Sequence, residues 1–203
     1  MTIILLSTAA VFYVMFMTGS QNRLIKTAYK CVPTLCACGL ALYLAATRGA
    51  SINSNLAAAG LFMCAFADAV LEFALVPGAA LFGIAHACFI LSLILGRSHG
   101  LSCAACFLIV FSLLCVFFIR YRKAKPKSAP LWGFVLYAML LSLMASLACD
   151  SGILLALGGI LFALSDTILF LRLFGVLSSK LYSWLLMGAY YSALFCIAGG
   201  SCI

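Results

Sequence analysis

Long apolar runs alternate with short polar joints along the whole chain. Eight runs stand out, near residues 2–18, 31–47, 55–75, 78–96, 100–119, 131–149, 152–174 and 181–202. Each is close to the ~20 residues that carry a helix across a ~30 Å hydrocarbon core. The second is the least able to cross unaided. No period-two alternation interrupts them. The pattern predicts an all-α, polytopic transmembrane helical bundle of eight spans, a single integral-membrane domain over residues 1–203. The opening stretch MTIILLSTAAVFYVMFM lacks a basic leader and a clear cleavage site, so it reads as a retained first span.

Composition narrows the class further. The 203 residues are 67% hydrophobic and 8% charged, against about half apolar and a quarter charged in soluble domains. The net charge of +8 would suggest nucleic acid in a soluble chain. Here ten of the twelve basic residues fall in the odd-numbered loops, including the fifth, RYRKAKPKSAP, and only Arg48 and Arg97 in the even ones. Such short loops meet lipid headgroups, not nucleic acid. The positive-inside rule then places the odd loops in the cytoplasm and both termini outside, most simply in the cell membrane.

Against that background the acids are conspicuous. Asp68, Glu72 and Asp166 sit inside apolar runs, and Asp150 alone reads as a loop acid. An ionisable group in a bilayer costs at least ~2.5 kcal/mol and marks a functional site by default. The surroundings of Asp68, GLFMCAFADAVLEF, and of Asp166, GGILFALSDTILFL, align with Gly eight residues before, Ala three before and Leu three after. The offset is 98 residues and four spans, which suggests two parallel four-helix halves.

Counting at ~1.5 Å per residue from the cytoplasmic ends puts Asp68 ~10 Å deep, Asp166 ~9 Å, His86 ~12 Å and Tyr190 and Tyr191 ~14 Å. The expectation is one polar layer drawn from four helices. Glu72 falls one turn from Asp68 on the same face and could instead reach the headgroups. Adjacent on one helix, Tyr190 and Tyr191 are not expected to face the same pocket. Lys30 leads the second run and reads as an interface anchor, and His99 as a solvated loop residue.

Several chemistries are disfavoured. Two histidines, one well placed, do not suit a catalytic zinc, which usually takes three protein ligands. There is no GxSxG elbow and no phosphate-binding glycine loop. The eleven cysteines, with one CxxC at Cys103 and Cys106, read as small packing residues. What remains is paired carboxyls with a histidine and phenols. That set suits general acid catalysis without metal or organic cofactor, and equally proton-coupled transport or lipid translocation. A structural or regulatory membrane subunit is a third class.

At these motifs the chain resembles the YhhN-like family of membrane lysoplasmalogenases. The resemblance is carried by YKCVPTLCACG (30–40), GLFMCAFADAVLE (60–72), VPGAALFGIAHACFI (76–90), GGILFALSDTILF (158–170) and MGAYYSALFCI (187–197), in that order. It implies hydrolysis of the vinyl ether bond of a lysophospholipid, with Asp68 and Asp166 as the paired aspartates and His86 as an accessory catalytic residue. It also implies Lys30, Tyr190 and Tyr191 as substrate-side residues, with Lys30 reaching the lipid phosphate. Glu72 lies outside the family pattern and joins the substrate side by position alone.

Overall fold

A computed structural model describes residues 1–19, 22–97, 99–121 and 131–201. The fifth-loop bases Arg122, Lys123, Lys125 and Lys127 therefore lie outside the described residues. The described chain is all-helical: α1 (Thr2–Thr18), α2 (Arg23–Arg48), α3 (Ile52–Leu71), α4 (Leu75–Gly96), α5 (Leu101–Tyr121), α6 (Leu131–Cys149), α7 (Ile153–Leu173) and α8 (Lys180–Gly200). Seven of them, α2 to α8, are long and apolar enough to cross a membrane, as in a multi-pass membrane protein. The short one is α1, at 17 residues, and not the second run.

Two boundaries differ from the sequence reading in ways that matter. Helix α2 starts at Arg23, because Asn22 accepts a hydrogen bond from the Leu24 N–H and caps it there. Pro33 stays inside the helix and removes one backbone bond without ending it. Lys30 is therefore two turns inside α2 and buried, not an anchor at its end. Helix α3 stops at Leu71, and Glu72 is its C-cap. The chain must reverse here because Pro77 has no N–H to continue the ladder; it sits instead in the first turn of α4.

Consecutive helices pack as antiparallel neighbours within α1–α4 and again within α5–α8. Between these sets α2 meets α8 and α4 meets α6, two contacts that exchange when one half is swapped for the other. Helices α3 and α1 also touch α8, which breaks the symmetry.

Consecutive glycines wedge α7 between its neighbours. A Cβ on Gly158 would come 2.9 Å from Ile197 of α8, and one on Gly159 would come 2.8 Å from Ala148 and 3.2 Å from the Ala145 backbone of α6. Small residues let backbones approach where no hydrophobic driving force holds transmembrane helices together. Gly159→Val is expected to lower stability by about 1–3 kcal/mol through overpacking, seen as a lower melting temperature in detergent.

At the even-loop end Asp150 clasps two connections. Its carboxylate accepts from the Gly100 N–H at 3.0 Å and the Ser102 hydroxyl at 2.9 Å, at the start of α5. His99 Nδ1 lies 3.3 Å away, so this residue, expected to be solvated, joins the clasp. The Gly100 and Ser102 bonds favour the charged carboxylate and hold its pKa below the ordinary 3.8. A depressed pKa contributes stability above the unfolded value and loses it as pH falls through the folded one. Asp150→Asn should therefore melt below the wild type at neutral pH, with the gap closing as pH drops under about 4, as followed by melting curves across pH.

Candidate functional site

Six helices bring their polar side chains to the middle of the bundle. The Asp68 carboxylate, on α3, is 1% exposed. It accepts from the Thr34 hydroxyl of α2 at 2.7 Å and the Tyr190 hydroxyl of α8 at 2.9 Å, both on Oδ2. Its other oxygen faces the Lys30 ammonium at 3.7 Å, and the same ammonium donates to Glu72 at 3.3 Å. Lys30 is thus held between two carboxylates. Below it, the Arg23 guanidinium donates to the Glu72 backbone carbonyl and stacks on Phe73.

Asp166 sits in a parallel arrangement on α7. It accepts from the Tyr137 hydroxyl of α6 at 2.6 Å. Its Oδ1 lies 3.5 Å from Ser165 Oγ, whose single hydrogen goes to the Phe162 carbonyl at 2.9 Å. That geometry suits a proton carried on Oδ1 and shared towards Ser165, since a serine hydroxyl has one hydrogen to give. On the α4 side, the His86 ring packs edge-on against Tyr137. Its Nδ1 donates to the Phe82 carbonyl at 2.7 Å, and its Nε2, fully buried, has no hydrogen-bond partner.

The helices that carry the two stations exchange under the same swap of halves: Thr34, Asp68 and Tyr190 lie on α2, α3 and α8, and Tyr137, Asp166 and His86 on α6, α7 and α4. Of these residues only the aspartates fall at the 98-residue offset. The Phe162 ring stands between the two stations, 4.9 Å from His86 and 5.6 Å from Tyr190. The asymmetry is electrostatic: Lys30 and Glu72 accompany Asp68, while the Tyr137 and Ser165 hydroxyls accompany Asp166.

Counting along helices did not foresee how these groups meet. From the observed helix ends, Asp68 is ~5 Å in, Asp166 ~10 Å, Tyr190 ~15 Å and His86 ~16 Å, which is no single layer. Side chains lean towards the N-terminus of their own helix. Lys30, Thr34, His86, Tyr137 and Tyr190 ride on helices that start at the odd-loop end and lean back towards it. The aspartates ride on helices of opposite direction and lean to meet them.

Tyr191 corrects another expectation. It is buried beside Tyr190, with ring centroids 5.4 Å apart, and donates to the Lys30 backbone carbonyl at 2.9 Å. Both tyrosines therefore serve one cluster, Tyr190 through the acid and Tyr191 through the backbone that carries the lysine. Glu72 is only partly buried and is paired with Lys30. Sequence reasoning missed Thr34 and Tyr137. The signal for Tyr137 was a lone phenol in the apolar run of α6; for Thr34 it was a hydroxyl one turn beyond Lys30 on the same face.

A family model described as the YhhN family matches residues 25–201. The chain belongs to the YhhN family. The match takes in every polar group of the site described above except Arg23, and leaves α1 outside. No curated protein and no solved structure matches the chain significantly. In this YhhN-family bundle no group of three or more His, Cys, Asp and Glu among the described residues is arranged to hold a metal ion. The ten described cysteines are free.

Beside Asp166 the bundle opens sideways. A cavity of about 400 Å³ lies between α4 and α6, floored by α7. Its walls are apolar apart from the Tyr137 phenol and the Trp132 indole.

The lysine at the centre is open to a direct test. Lys30→Met leaves Asp68 buried without its cation and is expected to cost about 3 kcal/mol, the low end for a broken buried pair because the carboxyl can take up a proton. The double variant Lys30→Met/Asp68→Asn should recover part of that loss in a double-mutant cycle of detergent unfolding. Strict additivity would show that the two side chains are not coupled.

Proposed function

We propose that this protein is a membrane hydrolase that cleaves the vinyl ether bond of lysoplasmalogens, releasing a fatty aldehyde and glycerophospho-ethanolamine or -choline. The observation that carries the reading is the unequal pair of buried aspartates. Asp68 has a cation and two hydroxyl donors, an arrangement that favours its carboxylate. Asp166 has hydroxyls, no cation and an oxygen placed to hold a proton. An acid and a carboxylate in one site are what hydrolysis of an enol ether needs. Membership of the YhhN family supports the same activity.

In this mechanism the Asp166 proton adds to the β-carbon of the vinyl ether, and the π electron pair forms the new C–H bond. The positive charge that develops, shared between the ether oxygen and its carbon, is stabilised at a distance by the Asp68 carboxylate, across the low-dielectric interior of the bundle. Water adds to that carbon and gives a proton back to Asp166. The resulting hemiacetal collapses, its hydroxyl proton passing to the leaving alcohol oxygen, and yields aldehyde and alcohol. Tyr137 positions Asp166; Thr34, Tyr190 and Lys30 hold Asp68 charged. His86, packed on Tyr137, fixes the phenol that orients the acid. The basic odd-loop end, with Arg23, Lys26, Arg172 and Lys180 exposed, is the cytoplasmic face in this reading and the side on which headgroups are held. Lys30, committed to two carboxylates, acts on Asp68 and not on the lipid phosphate.

The near-symmetry of the halves favours a second reading, proton-coupled transport, because parallel repeats with midmembrane acids recur in transporters. The two are separated by chemistry. Purified protein should release aldehyde from lysoplasmalogen and none from the saturated ether analogue, and Asp68→Asn and Asp166→Asn should each lower the rate by about 10²–10⁴-fold while remaining folded. Acid-dependent flux in proteoliposomes without cleavage would replace hydrolysis with transport.

A further inference from the structure

We infer that the groove between α4 and α6 is the seat of the substrate's single hydrocarbon chain, and that it delivers the reacting bond to Asp166 and not to Asp68. The inference rests on the hydrolase reading for the identity of that bond, and on geometry for the rest.

The groove runs from the odd-loop end towards the middle of the bundle. Val76 and Trp132 stand at its mouth, on the first turns of α4 and α6. Tyr137 lies six residues into α6, ~9 Å along the helix. Beyond it Gly83, Leu140 and Ala87 line the inner part, with Ala87 ~18 Å from the start of α4. A lipid with its headgroup at the mouth, where exposed Trp132 marks the kind of position aromatics take at a membrane interface, would place the bonds next to its glycerol near Tyr137. Its chain would continue past Gly83 towards Ala87.

Size and polarity select the occupant. About 400 Å³ holds roughly a dozen methylenes if each takes about the ~30 Å³ of a liquid water. That is room for about one chain, which a lysolipid fills without a second chain left to be placed in the bilayer. The Tyr137 hydroxyl, bonded to Asp166 at 2.6 Å, is the polar group that joins this apolar space to a carboxyl. Asp68 does not line the groove, and the His86 and Phe162 rings, packed on each other 4.9 Å apart, are both fully buried. The wall of small residues on α4 leaves the width: a Cβ on Gly83 would meet Leu140 at an ordinary 3.7 Å, so the backbone there tolerates a side chain, which would project towards Leu140 across the groove.

The test uses a saturated ether lysolipid carrying a diazirine on its chain, which binds but cannot be hydrolysed. Photolysis with the full-length protein in detergent or nanodiscs should label peptides from 75–87 and 131–140. Excess unlabelled lysolipid should suppress the labelling and excess diacyl phospholipid should not. Labelling spread over the exposed face of α5, or suppressed equally by both lipids, would overturn the inference and identify the groove's contents as ordinary bilayer lipid. As a second readout, Ala87→Leu and Gly83→Leu should lower the ratio of long-chain to short-chain binding. Excluding about two methylenes is worth on the order of tenfold. An unchanged ratio in both variants would also overturn it. Groove labelling without aldehyde release in the wild type would remove the hydrolase reading and leave the chain site standing. Aldehyde release without groove labelling would remove the chain site alone.

Discussion

The Lys30 ammonium between Asp68 and Glu72 is the contact on which the rest of the site depends. In a bilayer there is no water to satisfy a charge, so each buried ionisable group must find its partner within the protein. Lys30 supplies that partner for Asp68, and Thr34 and Tyr190 complete the coordination of its other oxygen. Meeting those demands requires α2, α3 and α8 to stand at one separation and rotation. Tyr191, by holding the Lys30 carbonyl, ties α8 to α2 through the backbone as well. A polar cluster of this kind specifies an arrangement that apolar packing alone, equally content against lipid, would leave loose.

The second station repeats the plan with different chemistry. Its carboxyl accepts from one phenol where the first accepts from a threonine and a tyrosine, and among the described residues no lysine accompanies it. Two halves built alike thus hold two aspartates in unlike electrostatic surroundings. Acid–base catalysis uses such pairs, because one group must keep its proton under conditions where the other has lost it. The apolar groove opens beside the aspartate without a cation. In the proposed reading a hydrophobic substrate approaches the group suited to donate a proton, while the charged cluster remains enclosed.

Packing supports this division. The glycine pair at 158 and 159 lets α7 press against both α6 and α8, which sets Asp166 and Tyr137 within hydrogen-bonding distance. Phe162, one turn before Asp166, fills the space between His86 and Tyr190 and keeps the stations distinct. At the far end the Asp150 clasp fixes the loops that join α4 to α5 and α6 to α7, so the helices bordering the groove are held at the end opposite its mouth.

The number of helices, their membrane character and the candidate acids were legible in the chain itself, because the cost of exposing backbone or charge to hydrocarbon is paid residue by residue and leaves a local record. Helix ends set by Asn22 and Pro77 were readable in principle but outweighed by the length of the apolar runs. What the tertiary structure alone decided was partnership. Lys30 as a buried counter-ion, Tyr137 on Asp166, both tyrosines serving one cluster and the groove between α4 and α6 depend on helix stagger and on the direction in which side chains lean. Those follow from contacts between residues as far apart as Lys30 and Tyr191, and no local pattern encodes them.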